Sequence, residues 1–201
     1  MNIYTFKSDY PYGANSYVIS SEGEYAIIDP AVSPEKVFKK LDIEASSFRY
    51  VILTHAHFDH TLYIDEWQEE TGLPISVSSP DERMLRDSYL NCYEIFFGRK
   101  QVFLGETRVL CDGELLPLGE SALKIHFVPG HTPGSILIEE GSVIFAGDTV
   151  FANQSYGRCD LPGGDFQKLK ESIARIHLFA PDTDVYPGHG EKTKVKEIIR
   201  F

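Results

Sequence analysis

Apolar positions fall into short runs with two different spacings, and this alternation organises the whole chain. Asn15–Ser20 and Tyr25–Asp29 are apolar runs joined by Ser21-Glu22-Gly23-Glu24, the pattern of a hairpin. Ser33 before Pro34 reads as a helix cap and first helical position, with Val37, Phe38 and Leu41 on one face. Tyr50–Thr54 is a buried strand, Leu62–Thr71 a helix stopped at Gly72 and Pro74, and Ile75–Ser78 another strand. Ala122–Val128, Ser135–Glu139 and Val143–Ala146 are three further strands, separated by Pro129-Gly130 and Glu140-Gly141. Asp165 caps a helix running to about Phe179, with Leu169, Ile173 and Ile176 inward. Asp184–Tyr186 predicts a last strand and Lys192–Arg200 a last helix.

This order predicts an α/β sandwich, with two sheets packed together and helices outside, in one domain spanning residues 1–201. Asp87–Phe103 is the exception. It holds Tyr89, Tyr93, Phe96, Phe97 and Phe103 and fits neither spacing, so it reads as an irregular cover for the core or as an aromatic flap over a pocket.

The charge narrows the partners. Nineteen Lys and Arg against 30 Asp and Glu leave −11, which repels a phosphate backbone and argues against nucleic acid. No run is long enough for a membrane span, and Met1-Asn2-Ile3-Tyr4 lacks the pattern of a secretory leader, so a soluble, cytoplasmic protein is expected. Cys92, Cys111 and Cys159 are odd in number and widely spaced, which fits reduced thiols.

Histidine carries the chemistry. Thr54-His55-Ala56-His57-Phe58-Asp59-His60 follows an apolar strand and crowds three imidazoles and a carboxylate at a strand end, where none of them packs well. Imidazole nitrogen and carboxylate oxygen are ligands of Zn²⁺ and similar ions, so metal binding explains the cluster. Three more donors follow apolar strands: His131 in Pro129-Gly130-His131-Thr132-Pro133-Gly134, Asp148 in Gly147-Asp148-Thr149, and His189 in Pro187-Gly188-His189-Gly190.

Together these motifs resemble the metallo-β-lactamase superfamily, over nearly the whole chain from Ile27-Ile28-Asp29-Pro30 to the Pro-Gly-His-Gly segment. The resemblance implies a four-layer αββα sandwich and two divalent ions, with zinc expected and iron or manganese as alternatives. It implies His55, His57 and His131 as ligands of one ion, Asp59, His60 and His189 as ligands of the other, and Asp148 as the bridge. Gly147-Asp148-Thr149-Val150-Phe151, with Gly157-Arg158-Cys159-Asp160-Leu161-Pro162-Gly163-Gly164-Asp165, is similar to short glyoxalase II-like enzymes, hydroxyacylglutathione hydrolases that cleave thioesters.

On that basis the expected function is a binuclear hydrolase of small thioesters or esters. A metal-bridging hydroxide would attack, and Asp59 would orient it and handle its proton. Typical glyoxalase II continues into a helical domain with basic glutathione contacts, whereas this chain ends at Phe201, so the thiol is not defined. A sister branch suggests mononuclear iron persulfide dioxygenase as an alternative, with His55, His131 and Asp148 as iron ligands, and lactone or other ester hydrolysis is a further one. His126, His177 and Cys159 read as structural, and Arg158 with Asp160 as a loop-shaping ion pair or a substrate contact.

Overall fold

A computed structural model describes residues 1–201. Its first half comprises β1 (Asn2–Lys7), β2 (Asn15–Ser21), β3 (Glu24–Ile28), α1 (Pro34–Leu41), β4 (Phe48–Ile52), α2 (Ile64–Thr71), β5 (Ile75–Ser78), α3 (Ser79–Leu85), α4 (Tyr93–Phe97) and β6 (Thr107–Leu110). Its second half comprises β7 (Leu115–Leu118), β8 (Ser121–Phe127), β9 (Ile136–Glu140), β10 (Val143–Gly147), the small hairpin β11 (Val150–Phe151) and β12 (Ser155–Tyr156), α5 (Phe166–Ile176), β13 (Asp184–Pro187) and β14 (Thr193–Lys194).

Two six-stranded sheets form, ordered β1-β2-β3-β4-β5-β6 and β14-β13-β10-β9-β8-β7. Strands in the middle of each sheet are apolar on both faces, because each sheet is covered twice. Tyr17 and Ile19 of β2, Ile28 of β3, Ile138 of β9 and Phe145 of β10 meet between the sheets. The intervening residues point the other way. Val18, Ile27 and Val51 pack outward with Val37 of α1, Trp67 of α2 and Met84 of α3, while Leu137, Ile144 and Val185 pack against Leu169, Ile173 and Ile176 of α5. This period-2 division into three cores produces the αββα sandwich.

Two caps explain where helices begin. Ser33 Oγ accepts from Lys36 N, and Asp165 accepts from the amides of Gln167 and Lys168. α5 ends at Ile176 rather than near Phe179, because the backbone turns at His177, whose Nε2 meets the Ile199 carbonyl at 2.8 Å.

The predicted helix over Lys192–Arg200 is not present. Thr193 and Lys194 pair antiparallel with β13, and Val195–Glu197 form one 3-10 turn. In Lys192-Thr193-Lys194-Val195-Lys196, lysines alternate with β-branched residues, and the structure follows that period of two. Lys192 and Lys194 both reach Asp184, while Val195 and Ile198 close the outer core over β13. β1, α3, β6 and β7, which the apolar pattern does not reveal, lie mostly at sheet edges, where one face stays polar.

Trp67 concentrates much of the first outer core. It is fully buried, stands edge-on to Phe38 and Phe48 at 5.5 and 5.0 Å, and donates its indole N–H to the Val32 carbonyl at 2.8 Å. Trp67→Ala is expected to destabilise the protein by about 3–5 kcal/mol. Chemical denaturation checks this, and a loss below about 1 kcal/mol would show that the α2 layer packs loosely.

Candidate metal centre

The carboxyl ends of several strands meet at one edge of the sandwich. The loop after β4 carries His55, His57, Asp59 and His60, the loop after β8 carries His131, the end of β10 leads to Asp148, and the loop after β13 carries His189. All seven candidate residues come together there. Their donor atoms form three overlapping groups in which each atom lies within 4.8 Å of the others: His55, His57 and His131; His55, His60 and Asp148; and Asp59, His60 and His189.

Proton accounting shows what these atoms face. Thr54 donates its hydroxyl proton to Asp29 Oδ2 at 2.7 Å, so its oxygen accepts from His55 Nδ1 at 3.2 Å. His60 Nδ1 donates to Asp29 Oδ2 at 2.9 Å, and His131 Nδ1 donates to the Arg158 carbonyl at 2.6 Å. In His55 and His131 the outward nitrogen is thereby occupied and Nε2 turns a lone pair inward, while His60 turns its Nε2 toward Asp148. His55 Nε2 and His131 Nε2 are 3.2 Å apart, with His57 Nδ1 2.9 Å from His131 Nε2.

A buried point ringed by lone pairs is unfavourable without a cation, and donors of a tetrahedral ion with bonds of about 2.1 Å stand about 3.4 Å from one another. His60 Nε2 and Asp148 Oδ1, 3.3 Å apart, are both buried and lack an aligned hydrogen-bond partner. His189 Nε2 lies 3.1 Å from Asp59 Oδ2 and 3.5 Å from Asp148 Oδ2, and Asp148 Oδ2 is 3.7 Å from His131 Nε2. The Asp148 carboxylate thus faces both histidine sets. These residues fit a divalent metal.

The electrostatics of the cluster split it in two. Burial, then repulsion from neighbouring imidazoles, holds His55 well below the usual histidine range and brings His57 down to about 3; burial also lowers His131. His60 goes the other way. Burial opposes its charge, but Asp29, Asp148 and Asp59 outweigh burial and raise it well above the ordinary value. His189 is raised by Asp59 and Asp148 against burial, and Asp148 is lowered by His60, His131 and His189 against burial.

Two supporting carboxylates escape a reading based on motifs. Asp29 accepts from Thr54 N at 2.7 Å as well as from Thr54 Oγ1 and His60, so one side chain aligns two of the histidines. Its sequence signal is the Ile27-Ile28-Asp29-Pro30 strand end, to which the motifs assign no role. Asp81 sits in the first turn of α3, an ordinary place for an acid and hence no signal at all. It is fully buried and accepts from Ala56 N, Gly134 N and Thr132 Oγ1 at 2.9, 2.7 and 2.8 Å, tying the first histidine loop to the His131 loop. Burial raises its pKa to about 6 despite those bonds. Gly188 has a steric role, since a Cβ there would overlap the Asp148 carboxylate.

The remaining candidates have plain positions. His126 pairs with Glu139 at 2.6 Å on the outer sheet and touches Phe179, away from the cluster. Cys159 is half-buried against the α5 core. Arg158 forms a two-pronged pair with Asp160, both contacts 2.7 Å, and its side chain also lines the cavity beside the cluster.

An αββα sandwich with a histidine and aspartate cluster at the strand ends defines a metal-dependent hydrolase type of fold and site. The family description "Metallo-beta-lactamase superfamily" matches residues 9–189, and the chain belongs to that family. It is 32% identical over 189 residues to the probable metallo-hydrolase YqgX of Bacillus subtilis, covering 92% of this chain and 89% of that protein. It is 29% identical to the hydroxyacylglutathione hydrolase GloC of Haemophilus influenzae, covering 90% and 86%. The crystal structure of BLEG-1 B3 metallo-beta-lactamase superimposes with a TM-score of 0.88 at 29% identity, covering 98% of this chain and 95% of that one.

Asp29→Asn tests the supporting role. Asn tolerates the left-handed backbone at this position (φ 55°) but puts an NH₂ in place of one oxygen, so it cannot accept from Thr54 N, Thr54 Oγ1 and His60 Nδ1 together. The variant is expected to stay folded and to bind divalent metal about 10–100-fold more weakly. Titration of metal-stripped protein measures this, and unchanged affinity would show that Asp29 serves the backbone alone.

Proposed function

We propose that this protein is a binuclear metal-dependent hydrolase of small thioesters. The carrying observation is the position of Asp148, whose two oxygens face His60 on one side and His131 with His189 on the other. In this reading His55, His57 and His131 hold one ion, Asp59, His60 and His189 hold the second, and Asp148 joins them. Nitrogen and carboxylate donors at these spacings suit zinc, with iron or manganese as alternatives.

Two divalent cations held by these residues would lower the pKa of a water toward about 7 and polarise a carbonyl oxygen. Asp59 is the group placed to orient the attacking water. It is mostly buried, and His60 and His189 hold it below the usual carboxylate range although burial pushes the other way. It is therefore ionised and accepts a hydrogen bond from the attacking water. Asp29, Thr54 and the Arg158 carbonyl keep His60, His55 and His131 from rotating, which fixes the donor set in advance. A thiolate leaves without protonation, so a site built for hydroxide attack favours thioesters over amides. The likeness to GloC over most of both chains supports the same class. Three unpaired cysteines support a reducing, cytoplasmic setting, and the charge of −11 supports a small-molecule substrate over nucleic acid.

Two outcomes test this reading. Chelation is expected to abolish thioester hydrolysis, and Asp148→Ala to reduce it by about 10³-fold or more with loss of at least one ion by elemental analysis. Full activity and full metal content in that variant would refute the bridge, and one iron per chain with persulfide-dependent oxygen uptake would indicate a dioxygenase.

The split titration sets a pH dependence. His55, His57 and His131 are already neutral near pH 7, so metal binding there displaces no proton from them. His60 and His189 have raised pKa values, so a cation on their side must displace protons, and affinity there rises with pH. Calorimetry in buffers of different ionisation enthalpy is expected to show a first event with little proton release and a second that releases protons. Two events with equal release would contradict the assignment.

A further inference from the structure

The cavity over the metal centre holds about 320 Å³, near the lower end of the roughly 300 to 1,000 Å³ typical of small-ligand sites. Its floor is His57, Asp59, His131, Asp148 and His189. Its walls are different in kind: Tyr12, Phe58, Phe96 and Phe97 on the aromatic side, with Cys92, Leu161 and Arg158 completing them.

Phe58 is the hub of that aromatic wall. Its ring centroid lies 5.8 Å from Tyr12, 5.5 Å from Phe96 and 5.3 Å from Phe97, and Tyr12 and Phe97 are 5.6 Å apart. The wall is fixed to the metal-binding loop by backbone bonds. Phe58 N donates to the Asn91 carbonyl at 3.0 Å, just before α4, and Ala14 N donates to the Asp59 carbonyl at 3.1 Å, just after Tyr12. α4 itself is a five-residue helix with no buried residue, and Phe96 is 52% exposed and Phe97 37% exposed. The helix therefore presents apolar rings to the cavity mouth without contributing them to any core.

Arg158 is the only lysine or arginine lining the cavity, and its Nε and Nη2 pair with Asp160, which neutralises its charge. Arg99 of the same segment stacks over Tyr93 and does not line the cavity. A glutathione thioester carries two carboxylates and an ammonium, and the walls offer the carboxylates no lysine or arginine that is not already paired with an acid.

We infer that the site selects uncharged thioesters bearing an aromatic or bulky apolar group, which stacks on the shelf formed by Tyr12, Phe58, Phe96 and Phe97. This rests on the thioester reading above and adds the class of substrate to it. Rings at these spacings accept a further ring edge-on or offset, a geometry that favours an aryl group over a methyl group.

The test uses the full-length, metal-loaded protein and three substrates: the phenylacetyl and acetyl thioesters of N-acetylcysteamine, and S-lactoylglutathione. The phenylacetyl thioester is expected to exceed both others in kcat/KM by about tenfold or more. In the Phe96→Ala, Phe97→Ala double variant the phenylacetyl-to-acetyl ratio should fall about tenfold, mainly through KM. Both rings are exposed, so folding does not depend on them. A preference for S-lactoylglutathione, or a ratio that the double variant leaves unchanged, would overturn the inference. If no thioester is cleaved, the thioester reading fails and binding decides the shelf: phenylacetohydroxamate should bind about tenfold more tightly than acetohydroxamate, and only while Phe96 and Phe97 are present. Equal affinities would overturn the inference.

Discussion

The structure depends on one electrostatic constraint: imidazole lone pairs and an aspartate held against each other at a buried strand edge. Nothing in the protein alone satisfies His60 Nε2 or Asp148 Oδ1, and His55 and His131 direct Nε2 atoms at one another across 3.2 Å. Such an arrangement persists only if the surrounding fold imposes it and a cation repays it. The fold meets the first condition, and the donor spacing fits the second. The αββα sandwich brings the strand ends together, and the donors are spaced as a divalent metal requires.

Support for the cluster comes from beneath it. Asp29 at the end of β3 holds Thr54 and His60, and Asp81 of α3 clamps the backbone between His55 and His57 to the Thr132–Gly134 turn. These are buried carboxylates whose own bonds go to loops, so their contribution is rigidity of the site more than stability of the core. The split in histidine protonation follows from the same layout. Asp29 contacts His60 directly and reaches His55 only through Thr54; Asp29, Asp148 and Asp59 raise His60, and Asp59 and Asp148 raise His189.

Much of this was legible in the chain. The central strands and the αββα order followed from apolar runs, since both sheets are covered on both faces and their strands carry few polar residues. The seven donor residues stood out because histidine and aspartate at the ends of apolar strands serve no packing purpose, and the structure brings all seven together. Edge strands such as β1 and β7 were not legible, because a half-exposed strand mixes polar and apolar residues. The C-terminal segment misled for a related reason: its lysines suggested a helix face, while Thr193 and Val195 between them followed a strand's alternation. Asp81 was hidden because its value lies in contacts to residues far away in sequence. The Asp87–Phe103 segment resisted both periods because its rings go to different places, Phe96 and Phe97 to the cavity mouth and Phe103 into the core beneath α2 and α3.

The central claim is that Asp148 joins two metal positions. Anomalous diffraction from metal-loaded crystals addresses it directly. Two peaks are predicted, one beside His55, His57 and His131 and the other beside Asp59, His60 and His189, with the Asp148 carboxylate between them. A single peak with Asp148 turned away from it, or none at saturating metal, would contradict the account.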